Sequence, residues 1–300
     1  MIEELKTLIA VVENGSFTKA SEKRRLSQPS ISIHIKNLEE YFSVNLIRRS
    51  NKQKNIFITE NGQLLYRRAK EIVKILEVTK DDLLNLSDSV MGTLKIGASL
   101  TIGEYLLPKF LSYFSSKYPE VDIEIVIENT FDICEGVKGL KFDLGLIEGI
   151  APSFEFRQGY FSEDDMVLMV PFNHSLTKEI DFEENLYNER WICREEGSGT
   201  REYLNMFLAK KEIKPRSIMV LGSNTLVKEA VKNNLGITLI SSYVAEAAEN
   251  HKEVSVINLK EEYKRHFSYI LPKDMVTTRL AEIFIDELIK YSKINLANTR

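Results

Sequence analysis

ENGSFTKASEKRRLSQPSISIHIKNLEEYF, residues Glu13–Phe42, decides the fold. Ser16 or Thr18 can cap a first helix running through Ala20 to Arg25, and a tight turn follows at Leu26–Ser27. Ser27 is suited to cap the next helix, because its hydroxyl can accept from a free amide of the first turn. Pro29 falls in that turn, where its missing N–H costs nothing. The spacing predicts a helix from about Gln28 to Phe42. Ile31, Ile35, Leu38 and Phe42 recur on one face and predict a single buried stripe. Pro29, Ser32 and Lys36 fall away from that stripe, and Ile33 lies nearly opposite it.

A two-helix unit with a tight turn and a serine-rich outer face suits the major groove of DNA. Ser27, Gln28, Pro29, Ser30, Ser32 and Ile33 are the candidates for meeting base edges, and Lys36 for anchoring a phosphate. A plain helical hairpin would show the same spacing, so the next segment carries weight. IRRSNKQKNIFIT (Ile47–Thr59) places Arg48, Arg49, Lys52 and Lys54 around the start of a β-rich run and contains no acid. A basic hairpin beside a recognition helix is placed to contact phosphate or the minor groove.

The formal net charge of the 300 residues is only −4, which by itself argues against a nucleic-acid binder. The distribution says otherwise. Residues 1–62 carry 10 basic against 7 acidic side chains, leaving −7 on the rest, and residues 14–58 carry 9 against 3. A small basic head on an acidic body fits a DNA-binding domain joined to something else. Two cysteines, Cys134 and Cys193, form neither a disulfide framework nor a CxxC pair. The acids in the first four residues do not suit a signal peptide, and no stretch approaches the ~18 apolar residues of a membrane span. A cytoplasmic location with no membrane partner is expected.

The pattern L..LIAVVENGSFTKAS..RRLSQPSIS..I..LE, followed by L..RS.......ITENG, resembles the LysR-type transcriptional regulators. The matching positions are Phe17, Thr18, Ala20, Ser27, Gln28, Pro29, Ser32, Ile35, Leu38, Glu39, Arg49, Thr59 and Gly62. The departures are Ser21 for a second alanine, Ser43 for a glycine after the recognition helix, Ile47 for a phenylalanine, and a wing about one residue longer. The resemblance implies that Gln28, Pro29 and Ser32 touch bases or nearby backbone, and that the Ile33 position helps set sequence preference. It also implies a winged helix-turn-helix over 1–62, a linker helix over 63–90, and a two-lobed, periplasmic-binding-protein-like α/β effector domain over 91–300. The first lobe would cover about 92–163 and 267–295, the second about 164–266.

The residues support that layout. Leu65, Ala69, Ile72, Leu76, Thr79, Leu83 and Leu86 are spaced 4, 3, 4, 3, 4, 3, a heptad stripe with one polar break. The stripe fits either a helix lying on its own domain or one pairing with a second chain, and the resemblance implies antiparallel pairing in a dimer or tetramer. From Gly92 onward, strand and helix patterns alternate, which predicts an α/β fold with largely parallel sheets. DMVLMVP (Asp165–Pro171) and RHFSYILP read as two of the strands.

Three helix starts are candidates for a ligand cleft. ASLTIGEYLLP offers Ser99, Thr101 and Ile102; REEGSGTREYL offers Ser198, Gly199, Thr200 and Arg201; GSNTLVKEAV offers Asn224 and Thr225. Asn129 and Thr130 open a further helix at the same expected edge. Taken singly, each reads better as a plain helix cap, the commoner use of serine and threonine. Together they suit a small anionic effector, and GASLTIGEYLLP and REEGSGTR resemble the branch with regulators of sulfur assimilation and carbon fixation. No cofactor or metal is expected. His34, His174, His251 and His266 have no metal-ligand spacing, and neither a Walker loop nor GxSxG occurs, so an enzyme is disfavoured. A solute-binding protein is opposed by the basic head. Expected partners are double-stranded promoter DNA, further copies of the chain and, for an activator, RNA polymerase.

Overall fold

A computed structural model describes residues 1–49, 56–84, 90–149, 151, 154–178, 182–259, 263–273 and 275–298. The chain divides into two units, Met1–Leu86 and Ser87–Arg300.

In the first unit, α1 (Ile2–Asn14), α2 (Phe17–Arg24) and α3 (Gln28–Phe42) precede a two-stranded wing, β1 (Ile47–Arg49) and β2 (Ile56–Ile58), and then α4 (Glu60–Leu84). Ser16 caps α2 through Lys19 N at 3.4 Å, and Ser27 caps α3 through Ser30 N at 3.2 Å. Leu5, Leu8, Val11, Ala20, Ile31, Ile35, Leu38 and Leu46 form the core. Phe42 does not complete the expected stripe. It is 42% exposed and stacks edge-on against Tyr41, because α3 ends there and the chain turns through Ser43 in a left-handed conformation. Ser21 is buried without penalty, since its hydroxyl donates to Thr18 O at 2.7 Å. His34 is half-buried on α3, its ring 2.8 Å from Thr7 Oγ1.

Glu39 ties the recognition helix to the wing, its carboxylate accepting from Leu46 N at 2.8 Å and Ile47 N at 3.2 Å. Thr59 accepts from Gly62 N at 3.0 Å and so caps α4. Gly62 is needed there, because a Cβ would stand 2.3 Å from Leu46 O. The heptad stripe divides in two. Ala69 is buried in the core of its own unit, with Leu65 beside it, whereas Ile72, Leu76 and Leu83 are exposed. Leu86 lies outside the described residues.

In the second unit, β3 (Gly92–Ser99) runs parallel to both β4 (Val121–Glu128) and β5 (Leu144–Glu148). The strand order continues through β11 (Lys264–Pro272) to β6 (Phe156–Pro171). Helices α5 (Leu107–Lys117), α6 (Thr130–Lys138) and α10 (Arg279–Asn298) accompany this sheet. A π-helical turn, Ile102–Leu106, leads into α5. The other strands are β7 (Arg190–Arg194), β8 (Ser217–Leu221), β9 (Thr238–Ser241) and β10 (Val254–Ile257). They come with α7 (Gly199–Lys210), α8 (Asn224–Lys232) and α9 (Ser242–Asn250).

The sheets are less parallel than the alternation suggested. β6 spans 16 residues, pairing antiparallel with β11 over Phe156–Asp165 and with β9 and β10 over Met166–Pro171. One strand therefore passes from the first sheet into the second, and this makes the domain two-lobed. Each lobe has its own core. Phe110, Phe114, Phe267 and Phe284 anchor the first, and Trp191, Leu204, Phe207 and Leu239 anchor the second. Among the described residues, no helix is long and apolar enough to cross a membrane.

Candidate functional site

On the first unit the outer face of α3 is open. Ser27, Gln28, Pro29, Ile33 and Lys36 are exposed, and Ser30 and Ser32 are half-buried. Ile33 is 56% exposed with no place in the core, so packing does not account for it. Gln28 donates through Nε2 to Thr18 Oγ1, which fixes its amide between α2 and α3. Lys36 pairs with Glu40 at 3.3 Å, both well exposed, an interaction worth little. Arg48 is exposed on β1. The Arg49 side chain and all of Lys52 lie outside the described residues.

On the second unit the carboxyl ends of β3, β5 and β7 converge with the starts of α6, α7 and α8, the usual place for a ligand in such folds. β3 ends at Ser99, β5 at Glu148 and β7 at Arg194. Thr101, Thr200 and Asn224 are joined by two buried arginines that the sequence reading missed. Arg265 donates to Thr200 Oγ1 at 3.1 Å, to Thr101 Oγ1 at 3.2 Å and to Asp164 at 2.7 Å. Arg194 donates to Asn224 Oδ1 at 2.7 Å and makes a two-pronged pair with Glu195, both contacts within 2.8 Å. Asn224 in turn donates to Thr101 Oγ1 at 3.2 Å. Burial would raise the Glu195 carboxyl, but the Arg194 N–H groups outweigh it and hold it low.

Two hydroxyls in this region are buried and have no partner among the described residues: Ser99 Oγ and Ser198 Oγ. Ser198 stands at the cap position of α7 without bonding its own helix. The first helical bond there is Glu202 N to Ser198 O at 3.1 Å, which leaves the amides of Gly199, Thr200 and Arg201 ahead of it. Gly199 lies so close to β5 that a Cβ would meet Glu148 O at 2.1 Å. Thr130 donates to that same carbonyl at 2.7 Å.

Other candidates serve elsewhere. Arg201 turns from the cleft, because its guanidinium is held by Cys193 Sγ, by Arg194 O at 3.2 Å and by Asn205 at 3.1 Å. Thr225 is exposed and faces Tyr105, and the α8 start is capped by Ser223 at 3.1 Å. Asn129 caps α6 through Asp132 N at 2.9 Å. Ile102 is buried in the first lobe's core. Arg194 was legible only as a charge ending an apolar strand, and Glu148 likewise; Asp164 and Arg265 were hidden among neighbouring charges. Among the described residues, no group of three or more His, Cys, Asp or Glu side chains could hold a metal ion.

Comparison with known proteins places these features. Residues 2–63 match the family described as "Bacterial regulatory helix-turn-helix protein, lysR family", and residues 87–293 match "LysR substrate binding domain". The HTH-type transcriptional regulator CysL of Bacillus subtilis is 43% identical over 287 residues, 95% of each chain. A probable RuBisCO transcriptional regulator of Phaeodactylum tricornutum is 29% identical over 298 residues, 96% of each. A full-length OxyR variant from Pseudomonas aeruginosa superposes with a TM-score of 0.75 at 18% identity, covering 96% of this chain and 94% of that one. Full-length CbnR in complex with its target DNA gives 0.67 at 19%, covering 97% and 99%. The Synechocystis CcmR regulatory domain in complex with 2-PG gives 0.62 at 22%, covering 68% and 98%.

Proposed function

The chain belongs to the LysR family of transcriptional regulators, and from that premise we propose that it binds promoter DNA as a homo-oligomer and responds to a small anionic effector held between its two lobes. Its relatives are transcriptional regulators, not enzymes, and its two parts are a DNA-binding and an effector-binding domain. The proposal assigns base reading to Ser27, Gln28, Pro29, Ser30, Ser32 and Ile33, and phosphate contact to Lys36, Arg48, Arg49 and Lys52. The solved complex of CbnR with target DNA supports the first part. The CcmR regulatory domain with 2-PG supports a small-molecule ligand. Pairing through the exposed part of α4 would give the oligomer, and RNA polymerase would be the partner if the regulator activates.

The observation that carries the effector reading is the pair of buried hydroxyls unpartnered among the described residues, Ser99 at the end of β3 and Ser198 at the open start of α7. Such groups cost free energy unless something bonds them. The test is a promoter mobility shift at several salt concentrations, with and without small anions. Ser99→Ala and Ser198→Ala should abolish the effector response and leave basal DNA binding intact. Normal responses to a confirmed effector in both variants would place the ligand elsewhere.

A further inference from the structure

Glu148 ends β5 with its side chain 2% exposed. Its Oε1 receives only a long contact from Thr200 Oγ1, 3.5 Å. Its Oε2 lies 2.9 Å from Arg265 Nη2, yet no aligned hydrogen bond reaches it. A buried carboxylate oxygen with an ion pair but no hydrogen bond is an open acceptor. The side chain runs along the start of α7, since a Cβ on Gly199 would meet Glu148 Cγ at 3.0 Å. That is the helix start that carries the unpartnered Ser198 hydroxyl.

The two buried guanidinium groups nearby are already engaged. Arg194 is matched by Glu195 and Asn224, and Arg265 by Asp164, Thr200 and Thr101. A bare oxyanion in this cleft would therefore gain hydroxyls and amides but would face the Glu148 carboxylate, whose own cation, Arg265, is shared with Asp164. Like charges at short range in a low-dielectric site repel strongly. A hydroxyl or ammonium next to the anionic group turns that repulsion into a hydrogen bond and fills the open acceptor.

We infer that the effector is a small anion bearing a hydrogen-bond donor beside its anionic group, and that Glu148 selects it by accepting from that donor. This deepens the reading of the cleft given above and rests on it. Propionate, L-lactate and L-alanine share a carbon skeleton and differ at one substituent, so they isolate the donor. Their binding to the full-length protein is measured by thermal shift and calorimetry beside inorganic sulfate and phosphate. A donor-bearing probe should bind roughly tenfold or more tightly than propionate, the value of one hydrogen bond to a charged group. Sulfate and phosphate should bind no better than propionate.

Glu148→Gln removes the charge and keeps an accepting oxygen, so the inorganic anions should gain, whereas Glu148→Leu removes the acceptor as well, so the preference should collapse toward one. Because these variants also remove a partner of Arg265, Ser198→Ala provides a second comparison. It should weaken all the carboxylates alike and leave the preference unchanged. Propionate or sulfate matching the donor-bearing probes on the wild-type protein overturns the inference while leaving the cleft reading in place. A preference that survives in folded Glu148→Leu does the same. Silence of every probe on wild type and variants counts against the cleft itself, and the inference falls with it.

Discussion

Asp164 and Arg265 stand directly opposite each other in the register of β6 and β11, with Oδ2 and Nε 2.7 Å apart and neither side chain more than 1% exposed. Two residues further along, at Met166, β6 is paired with β9 of the other sheet. The ion pair thus marks the point where the chain crosses between lobes, and Arg265 reaches from there to Thr101 and Thr200. Burial raises the Asp164 carboxyl, opposed by Arg265 and by the Ser241 hydroxyl. Arg265 also pairs with Glu148 at 2.9 Å, so removing the arginine leaves two buried carboxylates without their cation, at a cost of about 3–5 kcal/mol, whereas removing Asp164 leaves the arginine still paired. Arg265→Met should lower stability on that scale in urea denaturation, and Asp164→Asn should cost less. The double variant Asp164→Asn with Arg265→Met should cost less than the sum of the singles. Additive or negligible costs would show that the pair does not hold the crossing.

Ser43 occupies the left-handed position that ends α3, at φ 55°, and Val44 N closes the turn on Glu39 O at 3.1 Å. A residue with a Cβ is strained there by roughly 1–2 kcal/mol, and glycine is not. Ser43→Gly should raise the unfolding free energy by about 1 kcal/mol, reduced somewhat by glycine's greater freedom in the unfolded chain. DNA affinity should not change, because no groove-facing side chain is altered. A loss of stability would mean that the Ser43 side chain has a role in the fold.

Glu287 gives a pH signature. Burial would raise its carboxyl, but hydrogen bonds from Lys117 at 2.8 Å, Tyr113 at 2.7 Å and Lys290 at 3.1 Å outweigh it and hold the group at about 2. A depressed carboxylate contributes stability above its ordinary value of 4.5 that is lost as pH falls toward about 2. Both lysines are largely exposed, so salt should weaken the effect. Glu287→Gln should lower the melting temperature at neutral pH and show a shallower fall than wild type between about 4.5 and 2. Parallel acid profiles for the two proteins would rule this out.

The helix-turn-helix was legible because its signals are local: a cap at Ser27, Pro29 in the first turn, and apolar residues at helical spacing. Phe42 misled because periodicity says nothing about where a helix ends against its neighbours. Ala69 belonged to two patterns at once, and only tertiary contact shows that the unit's own core takes it. In the cleft, Thr101, Thr200 and Asn224 could be picked as polar residues near helix starts. Their joining through Arg265 could not, since Arg265 and Thr101 are 164 positions apart. Arg201 is the opposite case. It lies at the right place in the sequence, but its side chain turns to Cys193 and Asn205.

Ile33 is an apolar side chain exposed on an otherwise polar face. The major groove offers one apolar feature, the C5-methyl group of thymine. Ile33→Ser should relax a preference for thymine or adenine at one half-site position, a change of about 1–3 kcal/mol in discrimination. Thermal stability should stay the same, because no core contact is lost. Selection of binding sites from a randomised pool would read the change. An unaltered base preference in a stable variant would remove Ile33 from the reading surface.

The two halves of the α4 stripe should respond differently to charge. Ala69 is fully buried against the helix-turn-helix core, so Ala69→Glu should unfold the N-terminal unit in any assembly state. Ile72, Ile75, Leu76 and Leu83 are 40–64% exposed within the chain, so a glutamate there meets water unless a second chain covers it. Leu76→Glu should therefore leave the fold intact by circular dichroism and yield a species that sediments as a lighter oligomer. Two half-sites bound by one dimer gain from the second contact being intramolecular, so that species should also lose DNA affinity steeply. Its binding to an isolated half-site should change little. Ile72→Glu combined with Leu76→Glu makes the test stringent, because two charges cannot both be accommodated in one apolar seam. If the folded double variant still sediments as the wild-type oligomer, α4 is not the surface that joins the copies.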